Sequence, residues 1–162
     1  KVTLADVAAG FDTVSICLSK GLGAPAGSVL VGTKALIERA YRWRKVLGGG
    51  MRQAGILAAA GLYAIEHNIA RLADDHANAE YLAQGLKGIS EIEVRAQATN
   101  MVFVRLPDDH RQPLADSLAA RGIVIRPTPL CRLVTHLDVT RADMDAVIDG
   151  FRAYFARNSK AA

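Results

Sequence analysis

A β-branched run that stops on a lysine and breaks into glycines constrains this chain more than any other stretch. Residues 11–28 read F-D-T-V-S-I-C-L-S-K-G-L-G-A-P-A-G-S. Thr13, Val14 and Ile16 favour an extended backbone, so residues 11–19 are expected to form a buried strand. Gly21, Gly23, Pro25 and Gly27 then forbid its continuation and make residues 21–27 a turn. The amine of Lys20 is thereby delivered to the end of a strand, beside a turn whose glycines let the backbone approach a ligand closely, where open α/β sheets bind small molecules. A lysine amine is a nucleophile only when neutral, and burial among apolar groups favours the neutral form. The apolar flank at residues 14–18 offers such a setting, which makes Lys20 a candidate covalent catalyst. The plainer alternative is a lysine whose stem lies on apolar surface with its ammonium in water.

The rest of the chain alternates between elements. Residues 4–9 suit a short helix closed by Gly10, and residues 28–32 a second short strand. Thr33 can cap a helix over residues 34–45, which Gly48, Gly49 and Gly50 end as a loop. An Ala-rich helix is expected over residues 51–66 and another over residues 71–86, with a bend at His67 and Asn68. From Gly88 the pattern changes, with strands expected near residues 92, 102, 124 and 134. Helices are expected over residues 113–121 and 141–157, the second opened by Thr140 with Asp143 at its third position. This second region is a small α+β domain.

Composition narrows the function classes. With 162 residues, 51% of them hydrophobic, the chain can bury a core. Lys plus Arg exceed Asp plus Glu by 20 to 16, but the positive charges are scattered. The one local cluster, Arg39, Arg42, Arg44, Lys45 and Arg52, is too poor in aromatic residues for a nucleic-acid platform and suits a small anion such as phosphate. G-L-G-A-P-A-G departs from G-x-G-x-x-G and lacks the Lys-Ser/Thr ending of a phosphate-binding loop, so both nucleotide readings fail. Cys17 and Cys131 have neither C-x-x-C spacing nor a nearby histidine at ligand spacing. They read as two buried free thiols in a reducing cytoplasm, with no metal site. No apolar run reaches the roughly 18 residues of a membrane span.

Segment 12–28 closely resembles the cofactor-lysine segment of the pyridoxal-phosphate-dependent L-threonine aldolases. The resemblance extends to R-K-V-L-G-G-G-M-R-Q-A-G at residues 44–55, to T-N-M-V-F at residues 99–103, and to C-R-L-V-T-H-L-D at residues 131–138. It implies an α/β fold, the C-terminal part of an aminotransferase-like large domain at residues 1–66 followed by a small α+β domain at residues 67–162. It implies pyridoxal 5'-phosphate held as a Schiff base by Lys20, with Ser19 donating to the phosphate. Lys45 and Arg52 would reach the phosphate of a neighbouring subunit, and Arg132 would bind the substrate carboxylate. The family's chains are about twice as long. The implied enzyme therefore also needs an N-terminal half and a homo-oligomer with a shared site, which together would cleave β-hydroxy-α-amino acids to glycine and an aldehyde.

Other readings share some of these residues. A β-eliminating lyase or another aminotransferase-like enzyme would also use Lys20 and Arg132, and a fragment serving only in assembly would use neither. His67 and His76 read as ordinary helix residues. His136, four residues beyond Arg132, reads as packing, with contact to the site as the alternative.

Overall fold

The computed structural model describes residues 2–158. The chain divides into two compact units that meet between Ala70 and Arg71.

The first unit opens with α1 (Leu4–Ala8), whose N-terminus is closed by a reciprocal capping box between Thr3 and Asp6. Strand β1 (Thr13–Cys17) and strand β2 (Ser28–Gly32) pair antiparallel, with Ser15 opposite Leu30. Helix α2 (Lys34–Val46) begins at Thr33, whose hydroxyl accepts from the Leu36 N–H, so the expected cap is present. Helix α3 (Gly55–Asn68) starts four residues later than the Ala-rich composition suggests. Gln53 sits at φ 53°, a left-handed conformation no helix accommodates, so residues 52–54 form a turn instead. Leu18, Ala24 and Ala64 form a small buried cluster with Leu22 against it.

Burial of the first strand is where expectation and structure part. β2 is exposed at every residue and β1 at most of its positions, with Ile16 45% accessible. A strand buried on both faces needs a layer over each, and among the described residues this two-stranded ladder has little over it.

In the second unit, helix α4 (Leu72–Lys87) precedes β3 (Glu93–Ala98), β4 (Met101–Arg105), a 3-10 turn (Asp108–His110), α5 (Arg111–Ala119), β5 (Leu130–Val134) and α6 (Arg141–Asn158). The three strands are antiparallel in the order β3-β4-β5. Alternation along β4 turns Val102 and Val104 inward, and both are fully buried. They pack in one core with Leu82 and Leu86 of α4, Leu114 and Leu118 of α5, Cys131, and Ile148, Phe151 and Phe155 of α6. Thr140 and Asp143 form the expected reciprocal cap of α6: the Thr140 N–H donates to Asp143 Oδ2 at 2.6 Å and the Asp143 N–H to Thr140 Oγ1 at 3.3 Å.

Two expected strands change. Residues 122–125 do not pair. Arg121 and Ile123 donate their N–H groups to Leu118 O, and Gly122, at φ 77°, donates to Ala119 O, so this backbone closes the end of α5. The apolar alternation there is satisfied by Ile123 and Ile125 packing on the core. The strand expected near residue 134 ends there rather than running on, because its partner β4 runs only from Met101, opposite Val134, to Arg105, opposite Leu130.

Candidate active site

The end of β1 is held by its own turn. The Leu18 N–H donates to Gly27 O at 3.0 Å, Leu18 O accepts from Ala24 N at 3.0 Å, and Lys20 O accepts from Gly23 N at 2.7 Å. Gly23 and Gly27 take φ of 72° and 108°, which explains why glycine occupies both positions. Leu18 is buried, and Gly61 of α3 leaves it room, since a Cβ there would stand 3.0 Å from Leu18 Cδ1. A buried leucine bonded on both backbone groups thus anchors the two residues after it. Their side chains project outward, and Lys20 is exposed rather than enclosed in the apolar pocket that its flank suggests. Ser19 Oγ lies 3.3 Å from Cys17 Sγ. That hydrogen bond, with one to the Ser19 backbone and the nearby charge of Lys20, holds the half-buried Cys17 thiol below its usual range. Burial pushes the Cys131 thiol up instead.

Lys45 lies in the last turn of α2 and Arg52 in the turn before α3. The three glycines between them have separate reasons. Gly48 adopts φ 84°; a Cβ on Gly49 would stand 3.0 Å from Arg44 Cγ and 3.2 Å from Arg44 O; a Cβ on Gly50 would collide with the Lys45 stem. The loop therefore folds back on the end of α2 and lies directly against Lys45. Both Lys45 and Arg52 are exposed, and among the described residues neither side chain has an acidic partner. Neither is hydrogen-bonded to Ser19 or Lys20.

Arg132 belongs to the second unit, on β5 opposite Phe103, with an exposed side chain. It lines an open groove of about 940 Å³ together with Arg121, Arg126, Thr128, His136 and Asp138. The Asp138 N–H lies 3.3 Å from His136 Nδ1, and Asp138 Oδ2 lies 3.4 Å from the same nitrogen. His67 stacks on Tyr63 with ring centroids 4.1 Å apart, a local helix contact, and His76 is exposed. Sequence reasoning passed over Arg126, although the R-P-T-P run at residues 126–129 marks a loop that would carry it. It also passed over Asp75, which is buried in α4 and ion-paired with Arg71, the arginine four residues earlier being its only sequence signal.

The sequence pattern of the beta-eliminating lyase family matches residues 1–109. The chain belongs to that family. It is 51% identical over 146 residues to the low specificity L-threonine aldolase of Escherichia coli (strain K12), covering 90% of this chain and 44% of that protein. It is 44% identical over 151 residues to the probable low-specificity L-threonine aldolase 2 of Arabidopsis thaliana, covering 89% and 42%. The chain thus spans less than half the length of these relatives. Among solved structures, a putative aromatic amino acid beta-eliminating lyase/threonine aldolase from Exiguobacterium superposes with a TM-score of 0.76 at 20% identity, over 93% of this chain and 47% of that one. SPT with PLP internal aldimine superposes with a TM-score of 0.65 at 20% identity, over 88% and 39%. The α/β architecture of this family member is therefore that of the aminotransferase-like enzymes. Among the described residues no helix is long and apolar enough to cross a membrane, and no cluster of His, Cys, Asp and Glu could hold a metal ion.

Proposed function

We propose that this chain is the lysine-bearing part of a pyridoxal-phosphate-dependent aldehyde-lyase. The enzyme would cleave L-threonine or L-allo-threonine to glycine and an aldehyde in the cytoplasm. The observation that carries the reading is Lys20, an exposed lysine whose backbone is held by the turn after β1 and which follows Ser19, in a chain 51% identical over 146 residues to a named threonine aldolase. The donor set suits the cofactor: one amine, one hydroxyl, and two cations, Lys45 and Arg52, that no carboxylate of the described chain neutralises. Lys20 would anchor it covalently and be displaced by the amine of the incoming substrate. Ser19 would donate its hydroxyl to the phosphate. Lys45 and Arg52 would balance its charge of nearly two on a neighbouring subunit, Arg52 through its paired donors and Lys45 as a point charge. Arg132 would grip the substrate carboxylate through two parallel hydrogen bonds and so fix which Cα bond faces the ring. When bound, the pyridoxal ring supplies the sink for the electrons released as the Cα–Cβ bond breaks.

In this reading residues 1–66 complete a cofactor-binding large domain with an N-terminal half, residues 67–162 form the small domain, and the enzyme is a homo-oligomer with shared sites. The exposed faces of β1 and β2 favour that arrangement, because contiguous apolar surface of this kind normally meets a partner. The test is made on the assembled enzyme. Addition of pyridoxal phosphate is expected to give visible absorbance and a borohydride-stable adduct on Lys20, both lost in Lys20→Ala. An adduct retained in that variant overturns the assignment. Glycine and acetaldehyde from threonine mark an aldolase; ammonia and an oxo acid mark a β-eliminating enzyme.

A further inference from the structure

The hairpin joining β3 to β4 is built against local preference. Thr99 takes φ 51°, a conformation that crowds a β-branched side chain and that asparagine accepts readily. The next residue is an asparagine, yet the left-handed position falls on the threonine. Local bonds soften the cost: Thr99 Oγ1 donates to Ala98 O at 2.7 Å, and Gln97 Nε2 donates to Thr99 O at 3.1 Å. What the arrangement releases is the side chain of Asn100. Its Nδ2 donates to Thr135 O at 2.8 Å while its own carbonyl accepts from Thr135 N at 3.0 Å. One residue thus holds both backbone groups of Thr135, just past the last residue of β5, where a ladder would otherwise fray. Thr135 is 1% accessible, and its hydroxyl donates to Asp75 O of α4 at 2.7 Å. The end of β5 is therefore fixed from the hairpin before β4 and from α4. Arg132 and His136, on either side of Thr135, both line the groove.

We propose that Asn100 is a positioning residue for Arg132: its two bonds to the Thr135 backbone fix the end of β5, and with it the direction in which Arg132 meets a substrate carboxylate. The inference rests on the reading of Arg132 given above. Strain is retained at Thr99 because the alternative, Asn100 itself in the left-handed position, would withdraw the amide from Thr135. Asn100 lies opposite Thr135 in the continuing β4–β5 register, and a residue that merely closed a hairpin would need no side-chain bond to the strand across from it.

The experiment is a double-mutant cycle in the assembled enzyme, with KM and kcat read separately. Arg132→Lys is expected to raise KM for the amino acid strongly, and Asn100→Ala and Asn100→Asp to raise it about tenfold with kcat within about twofold. In the Arg132→Lys background the same Asn100 changes should then add less than about twofold, because the guanidinium they position is already gone. Thr99→Gly, which relieves the strain and keeps Asn100, should leave KM unchanged. Backbone exchange at Thr135 should accelerate in Asn100→Asp without a change in the far-UV spectrum. A KM raised by Arg132→Lys but not by either Asn100 variant overturns the positioning role, and so does full additivity in the cycle. If both Asn100 variants fail to fold, the residue is structural and the proposal is wrong. If Arg132→Lys leaves KM unchanged, the reading of Arg132 fails first, visibly by itself, and the proposal falls with it.

Discussion

The two units are built from similar elements, yet one closes a core and the other does not. In the second unit α4, α5 and α6 cover a three-stranded sheet, and Val102, Val104, Leu114, Leu118 and Phe151 have no accessible surface. In the first, Leu18, Ala24 and Ala64 are the buried apolar residues, while Leu4, Leu47 and Ile56 are 89%, 81% and 78% accessible. Both units have well-made helix caps, so local signals do not separate them. The lesson is that helices and hairpins form on local chemistry, whereas stability follows apolar area removed from water.

The contrast is easiest to break with core truncations. Phe151→Ala is expected to destabilise the second unit by about 3–5 kcal/mol, whereas Ile56→Ala should move unfolding by less than about 0.5 kcal/mol. Urea melts of the chain decide this, and equal effects would mean that the first unit's exposed face is covered in solution. Gly85→Ala comes next. Its new Cβ would collide with Ile148 where α4 meets α6, and a cost of about 1–3 kcal/mol is expected in the same melts. Gly50→Ala introduces a similar collision, but against the flexible Lys45 stem. It should barely shift the melt and, on the proposed role of Lys45, weaken phosphate binding in the assembled enzyme, an effect read by cofactor titration.

Caps sharpen the comparison further. Thr140→Ala should cost about 1 kcal/mol in the global unfolding of the second unit. Thr33→Ala should appear instead as faster amide exchange in the first turn of α2, because little packing ties that helix to a cooperative core. Asp143 sits below the usual carboxylate range, held there first by the Thr140 hydroxyl and then by the Thr140 N–H. Its stabilising contribution is present above the unfolded carboxylate value and is lost as pH falls through the lowered one. The smallest effect is chemical. Cys17, lowered by its bond to Ser19, should alkylate faster than Cys131, its rate climbing with pH from a lower starting point than an ordinary thiol's, while Cys131 stays inert until the chain unfolds. Matching rates at the two thiols in folded protein would contradict the burial difference.

The sequence by itself determined those parts of the molecule whose cause lies within a few residues. Thr33 and Thr140 open helices because a hydroxyl reaches an N–H three positions on, and Gly23, Gly27 and Gly48 mark turns because their backbones need positive φ. Lys20 at the end of a strand, Ser19 beside it, and the lysine–triglycine–arginine loop were legible for the same reason, as motifs continuous in sequence. What only the tertiary structure decided was whether an apolar pattern would be paired, packed or left open. Residues 122–125 alternate like a strand but Gly122 and Ile123 spend their N–H groups on α5, β1 reads as buried but lies mostly exposed, and Arg132 joins Arg126 and His136 only because loop and strand end meet at one groove. Asn100 reaching Thr135 belongs to this second kind. Burial and hydrogen bonding are shared between residues distant along the chain, so a pattern fixes which surface seeks a partner and leaves open which one it finds.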